Sequence, residues 1–205
     1  MSNANPLLIL ISAPSGGGKT TLCQQLLAAR PDMTRAITCT TRAPRPGEKD
    51  GVDYHFLAPA EFQRRQQAGE FIESATVFGW SYGILQSELL DKLRSGRDVL
   101  LNVDVQGAAT IRGKVQGGPE LQNALVTVFL TPPSIKVLEE RLTKRAADAP
   151  EEIQKRLRIA RQEIAQWTHF DYLLISSSVQ EDLRRMLAIV EAEKMRAARS
   201  PAPEF

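Results

Sequence analysis

Leu7-Leu8-Ile9-Leu10-Ile11-Ser12-Ala13-Pro14-Ser15-Gly16-Gly17-Gly18-Lys19-Thr20-Thr21 is the stretch that decides the fold. Five apolar residues in a row, ended by a glycine-rich turn, suit a strand buried on both faces of a parallel sheet. Beyond the glycines the spacing predicts a helix over residues 19–29, stopped ahead of Pro31. The design recurs along the chain: Val99 to Val105, Val126 to Leu130 and Tyr172 to Ile175 are further apolar runs, each separated from the next by helical pattern. Such alternation predicts a doubly wound α/β fold, three layers deep, around a central and mostly parallel sheet.

The turn between the first strand and the first helix carries the chemistry. Ala13, Pro14, Ser15, Gly16, Gly17, Gly18, Lys19, Thr20 and Thr21 stand where a P-loop must stand. Glycines let successive backbone N–H groups turn inward on phosphate oxygens, and the helix N-terminus adds the positive end of its dipole. In that frame Lys19 reaches the β- and γ-phosphates of ATP, and the Thr20 hydroxyl is the candidate ligand for Mg²⁺. Ala13 occupies the place of the pattern's first glycine, which narrows the backbone choices there. Asp104-Val105-Gln106-Gly107 could pass for a GTPase switch, but no N-K-x-D base-reading motif follows it and no ABC-type signature is present. Those nucleotide-binding classes are set aside.

The chain's 205 residues fit one domain large enough to carry a small insertion. With 42% hydrophobic and 24% charged residues it is expected to fold as an ordinary soluble protein. A formal charge of +2 argues against nucleic acid as a partner, and the run Leu7 to Ile11 is far too short to span a bilayer. Cys23 and Cys39 lack metal or disulfide spacing and read as reduced thiols of a cytoplasmic protein. Pro44, Pro46, Gly47 and Gly51 punctuate short extended pieces, so residues 36–86 are expected to form an insertion, mostly of strand and turn. Apolar residues at Ile135, Leu138 and Leu142 mark one helix, and Pro150-Glu151-Glu152 opens the next. Ala146-Ala147-Asp148-Ala149 between them is expected to be mobile, and Ser200-Pro201-Ala202-Pro203 to fray. This divides a single domain over residues 1–205 into a core (5–35, 87–142 and 158–198), the insertion 36–86 and a mobile lid 143–157.

Residues 38–48, from Thr38-Cys39-Thr40-Thr41-Arg42 to Arg45-Pro46-Gly47-Glu48, followed by Gly51-Val52-Asp53-Tyr54-His55-Phe56, resemble the nucleotide-monophosphate segment of guanylate kinases. The likeness continues through Gly69 to Glu73, Tyr82-Gly83, Asp104 to Gly107 and the segments around Arg141 and Arg156, in the family's order and over nearly the whole chain. The resemblance implies transfer of the ATP γ-phosphate to GMP or dGMP. It implies that Arg42, Arg45, Tyr54, Tyr82 and Gly83 bind the acceptor, its phosphate above all. Thr38, Glu73 and Asp104 would meet the guanine. Arg141, Arg145 and Arg156 would close from the lid and, with Lys19, neutralise the transferring phosphoryl. Chemistry agrees: guanidinium forks match a dianionic phosphate, phenols donate to its remaining oxygens, and a carboxylate accepts from the N1–H and N2–H edge that adenine lacks. Electrostatic clamping is what phosphoryl transfer demands most.

Three departures from the family pattern stand out. Ile84 follows Tyr82-Gly83 where a hydroxyl residue is usual; either it faces the base, and guanine recognition lacks one hydrogen bond, or it packs into the insertion. Asn102 stands where an acidic residue is common, leaving Thr20 as the protein's ligand for Mg²⁺. Ser176-Ser177 replaces an Asn-Asp pair near the adenine. His55, His169, Trp80 and Trp167 read as structural or packing residues. Two other readings are open at this point: a P-loop kinase for another phosphorylated small molecule, and a non-catalytic guanylate-kinase-like binding module.

Overall fold

β1 (Leu8–Ser12) is buried along its whole length because it lies between parallel neighbours in the middle of a sheet covered on both sides. Residues 5–145 and 150–200 are described by the computed structural model, save the side chains of Arg145 and Pro150. The Ser2-Asn3-Ala4 opening, the segment 146–149 expected to be mobile and the Pro201-Ala202-Pro203 part of the tail lie outside the described residues. After β1 come α1 (Lys19–Ala29), β2 (Met33–Arg35), β3 (Cys39–Thr40), β4 (His55–Phe56), α2 (Pro59–Gln67), β5 (Phe71–Val77) and β6 (Trp80–Leu85). Then follow α3 (Gln86–Arg94), β7 (Asp98–Asn102), α4 (Val105–Val115), α5 (Pro119–Ala124) and β8 (Leu125–Thr131). The chain continues with α6 (Ile135–Arg145), α7 (Pro150–Ile164), β9 (Tyr172–Ile175) and α8 (Val179–Lys194).

The central sheet has five strands in the order β2-β7-β1-β8-β9, all parallel. Side-chain alternation in β1 splits the core into two layers. Leu8 and Leu10 pack with Leu89, Leu101, Ile111 and Phe129 on the α3/α4/α5 face. Leu7, Ile9 and Ile11 pack with Leu22, Leu26, Val128, Met186 and Val190 on the α1/α8 face. Helices on both faces of a parallel sheet make the three-layer α/β architecture.

Two fully buried carboxylates stitch the α8 side. Asp98 is 1% exposed and accepts from the Leu7 backbone N–H at 2.9 Å, from Lys194 at 2.9 Å and from Arg30 at 3.4 Å. Glu193 accepts from the Tyr172 hydroxyl at 2.6 Å and pairs with Arg199 at 3.0 Å. These bonds join β1, α1, β7, β9 and α8 at one end of the sheet.

A second sheet of four short strands, β4-β3-β6-β5, spans Cys39 to Leu85. Its own core is small: Cys39, Phe62, Phe71 and Leu85, with Phe62 and Phe71 stacked at 4.5 Å. This region holds more than strand and turn, since α2 covers the sheet through Phe62. That helix has one buried anchor and a polar remainder, too little for an apolar stripe to be visible. The chain also departs from expectation at β7, which ends at Asn102 and not at Val105. Asp104 turns the chain into α4 by accepting from the Gly107 N–H at 2.8 Å, an N-cap that closes the strand early. Trp80 and Trp167 are 44% and 45% exposed, so neither is the packing residue expected. Trp80 starts β6 beside the exposed hairpin tip, and Trp167 lies in a 3₁₀ turn at the surface.

α6 and α7 form an antiparallel pair with a core of Leu138, Leu142, Leu157 and Ala160. This pair sits directly against the glycine loop.

Candidate active site

The loop leaves the C-terminal end of the central strand β1 and enters α1. Gly16 and Gly18 hold φ of 82° and 101°, in the left-handed region that a residue with a β-carbon enters only under strain. At Gly16 there is also no room, because a β-carbon would lie 2.9 Å from Leu142 Cδ2 of α6. Ala13 is 3% exposed and tolerated within the turn.

Lys19 begins α1 and donates from Nζ to the Val103 carbonyl at 2.8 Å. Burial pushes its ammonium below the ordinary lysine range, and Asp104 partly restores it. A partly desolvated cation next to glycine N–H groups is a strong anion receptor. Thr20 is exposed at the same mouth.

Three cavities share this loop. The first, of about 310 Å³, lies between α1 and the β9–α8 connection and is lined by Gly16, Gly18, Thr21, Arg141, Ser176 and Asp182 among others. Asp182 fixes its wall by accepting from the Ser176 hydroxyl at 2.7 Å and the Ser177 N–H at 2.9 Å. A second cavity of about 190 Å³ is the glycine loop itself, closed by Lys19, Thr20, Asp104 and Glu163. The third, of about 600 Å³, separates the two sheets and is lined by Thr20, Thr38, Glu48, Tyr54, Ile84 and Asn102 among others. Gly16 and Gly18 belong to the first and second cavities and Thr20 to the second and third, so neighbouring members of this train of three share walls.

Tyr54, which lines the wide cleft, has Arg42 and Tyr82 against it. The Arg42 guanidinium lies 5.4 Å over the Tyr54 ring, and the Tyr54 and Tyr82 rings meet edge-on at 6.2 Å. Arg42 donates to both oxygens of Glu48 at 2.8 and 3.0 Å, while the Arg45 backbone N–H donates to Glu48 Oε2 at 2.7 Å. These bonds hold Glu48 below the usual carboxylate range, that to Arg42 foremost. Arg45 itself is exposed. Gly83 has no side chain because Phe71 Cδ1 would stand 2.8 Å from its β-carbon.

Glu73 and Asp104 approach the start of α4 from different elements, β5 and the end of the β7 segment, with Gly107 packed beside both. Burial first, and Asp104 second, raise the Glu73 carboxyl above its usual range. Ile84 is the cross-strand partner of Glu73, so their side chains share a face. It is 4% exposed and packs with Ile72, Leu89 and Leu101 in the main core while forming part of the cleft floor. Its apolar character therefore has a packing cause.

Arg141 already reaches the loop, donating to the Gly17 carbonyl and the Ser176 hydroxyl at 3.4 and 3.3 Å. Arg145 is the last residue of α6, and its side chain lies outside the described ones. Arg156 on α7 is half exposed, 3.8 Å from Glu152. Sequence reasoning missed Glu163, whose Oε2 accepts from the Ser15 N–H at 3.3 Å. The signal was present, since Glu163 follows Arg156 by two helical turns. It also gave Glu48 no role of its own. Among the described residues no cluster of three or more His, Cys, Asp or Glu side chains could hold a metal ion, and no helix is long and apolar enough to cross a membrane.

Comparison with known proteins agrees with this geometry. The family model described as guanylate kinase matches residues 5–193. The guanylate kinase of Maricaulis maris is 38% identical over 195 residues, 95% of this chain and 87% of that protein. That of Coxiella burnetii is 40% identical over 195 residues, 95% of this chain and 90% of its own length. Among solved structures, the crystal structure of guanylate kinase from Anaplasma phagocytophilum superposes with a TM-score of 0.71 at 31% identity, covering 97% of this chain and 91% of that one. A glycine cradle, Arg42 over Tyr54 beside the cleft, and a family model and relatives that match over most of the chain all carry the same consequence: the chain belongs to the guanylate kinase family.

Proposed function

We propose that this chain is an enzyme that transfers the γ-phosphate of ATP to GMP, giving ADP and GDP, with dGMP as an alternative acceptor. The observation that carries the reading is the train of three cavities sharing Gly16, Gly18 and Thr20. A donor base in the first cavity, its phosphates in the glycine loop and an acceptor in the wide cleft would set the attacking and transferred groups in line across Thr20. Family membership adds its weight, and neither the sugar-phosphate kinase nor the binding-module reading is favoured by it.

In this reading Lys19 leaves the Val103 carbonyl for the β- and γ-phosphates. Gly16 to Thr21 supply backbone donors, with Ala13, Pro14 and Ser15 shaping the turn that leads into them. Arg42, Arg45, Tyr54 and Tyr82 hold the acceptor phosphate, with Arg42 shared between that phosphate and Glu48. Thr38, Glu73 and Asp104 read the guanine, with Gly83 keeping the β5–β6 wall thin. Arg141, Arg145 and Arg156 stabilise charge on the transferring group, where donors aimed at the transition state count most. No general base is needed, because the second pKa of a nucleotide phosphate is about 6 and the attacking oxygen is already ionised at pH 7. The exposed Thr20 hydroxyl would hold Mg²⁺, which would offset negative charge on the transferring phosphates. Closure of 36–86 and 143–157 over the loop would exclude water, and with it hydrolysis of ATP. A cytoplasmic setting suits the buried thiols: burial pushes Cys23 up to about 12 and Cys39 up to about 11, so neither is poised for redox chemistry.

A coupled assay with ATP and Mg²⁺ against GMP, dGMP, AMP and ribose phosphate tests the assignment. GMP should give the highest kcat/KM. Turnover of ribose phosphate in preference to GMP, or none with any acceptor, would overturn it.

A further inference from the structure

α6 and α7 are fastened to the glycine loop at successive residues. Glu163 of α7 accepts from the Ser15 N–H at 3.3 Å, a bond between residues 148 apart in sequence. Leu138 and Leu142 of α6 press on Gly16, and Arg141 of α6 donates to the Gly17 carbonyl at 3.4 Å. On α7, Leu157 and Ala160 pack on Leu138 and Leu142, with Ile153 and Ile164 extending the seam. Positions 156, 160 and 163 follow helical spacing, so Arg156 and Glu163 flank that seam on one side, about 10.5 Å apart along the axis. One end of the helix thus touches the loop through Glu163. The arginine that the proposed reaction requires lies two turns back, in the middle of the helix.

We infer that Glu163 is a positioning residue: its carboxylate oxygen pins the C-terminal end of α7 to the Ser15 N–H, so that Arg156 swings on a fixed radius onto the transferring phosphoryl group. The inference rests on the phosphoryl-transfer reading above and names a residue that reading does not use. What the pin must supply is an acceptor atom at the right reach. Its charge is a cost, since Glu163 lines the same cavity as Asp104, where phosphates would add further negative charge. Burial raises its carboxyl above the usual range, with Asp104 adding to the shift and the Ser15 N–H and Lys19 opposing it.

Two conservative variants separate reach from charge. Glu163→Gln keeps an oxygen acceptor at the same length without charge. Glu163→Asp keeps the charge but falls one methylene short. With ATP, Mg²⁺ and GMP, Glu163→Gln should keep kcat within about twofold of wild type, while Glu163→Asp should lose roughly 10- to 100-fold in kcat with KM for GMP unchanged. On an Arg156→Ala background Glu163→Asp should cost little more, because the two act as one unit. A Gln variant as impaired as Asp, or an Asp loss that persists in full without Arg156, would overturn the inference. A wild type that moves no phosphate to GMP would instead overturn the functional reading beneath it.

Discussion

The two proposed phosphate sites of this molecule are built from different materials. The glycine loop would bind with its backbone: strand β1 and helix α1 hold it at both ends, and the side chains of Gly16, Gly17 and Gly18 contribute by being absent. The cleft between the sheets would bind with side chains. Arg42, Arg45, Tyr54 and Tyr82 come from short strands and the loop between β3 and β4, and Arg42 is kept in place by a single carboxylate, Glu48. Secondary structure preorganises the first site, whereas partner side chains preorganise the second. Damage to the donor half should accordingly appear in turnover, and damage to the acceptor half in affinity.

The sharpest way to break that division is Lys19→Met, which removes the buried cation and leaves the backbone cradle. A fall in kcat of about 10³-fold or more is expected with the circular dichroism spectrum unchanged, and an unaltered kcat would dissolve the distinction at its root. Next, Arg156→Ala should lower kcat by about 10²- to 10³-fold with little change in GMP affinity, whereas Arg45→Ala should raise KM for GMP by roughly 10- to 100-fold. Steady-state kinetics giving one pattern for both would erase the boundary. Ile84→Ser sharpens the comparison differently. As Ile84 packs in the main core as well as the cleft floor, thermal unfolding should show about 2–4 kcal/mol of lost stability without a compensating gain in kcat/KM for GMP. The smallest effect is on pH. Because the Glu73 carboxyl is raised by burial, its accepting form is present above that raised value and lost as pH falls through it. KM for GMP should rise a few-fold at a higher pH than an exposed carboxylate would cause, and Glu73→Gln should remove that limb of the profile.

The same contrast governs what could be read in advance. Helix α1 and strand β1 lie where apolar runs and breakers put them, because a strand buried on both faces leaves an uninterrupted signature. The second sheet has no such signature. β3 and β4 are two residues each and α2 is held by Phe62 alone, so periodicity had nothing to register, and only likeness to a family brought Arg42, Tyr54, Glu73 and Tyr82 to notice. Ile84 could be read as a defect in base recognition because sequence position does not say what lies behind a cleft wall. Glu163 was passed over since its partner is a backbone N–H, which no residue name advertises. Asp104 ended β7 early through a cap that spacing alone did not separate from a continuing strand.

Asp98 and Glu193 have a consequence for how the molecule comes apart. Each is 1% exposed; Glu193 pairs with Arg199 just beyond α8, and Asp98 pairs with Lys194 of α8 at 2.9 Å and with Arg30 at 3.4 Å. Peeling α8 from the sheet would leave Asp98 with only the longer Arg30 contact, and breaking a buried pair costs up to about 3–5 kcal/mol. The helix therefore lacks a cheap route to independent opening. Its amide protons should exchange with solvent in the same cooperative event as those of β1, and exchange of α8 well ahead of the sheet would show that the two carboxylates do not weld them into one folding unit.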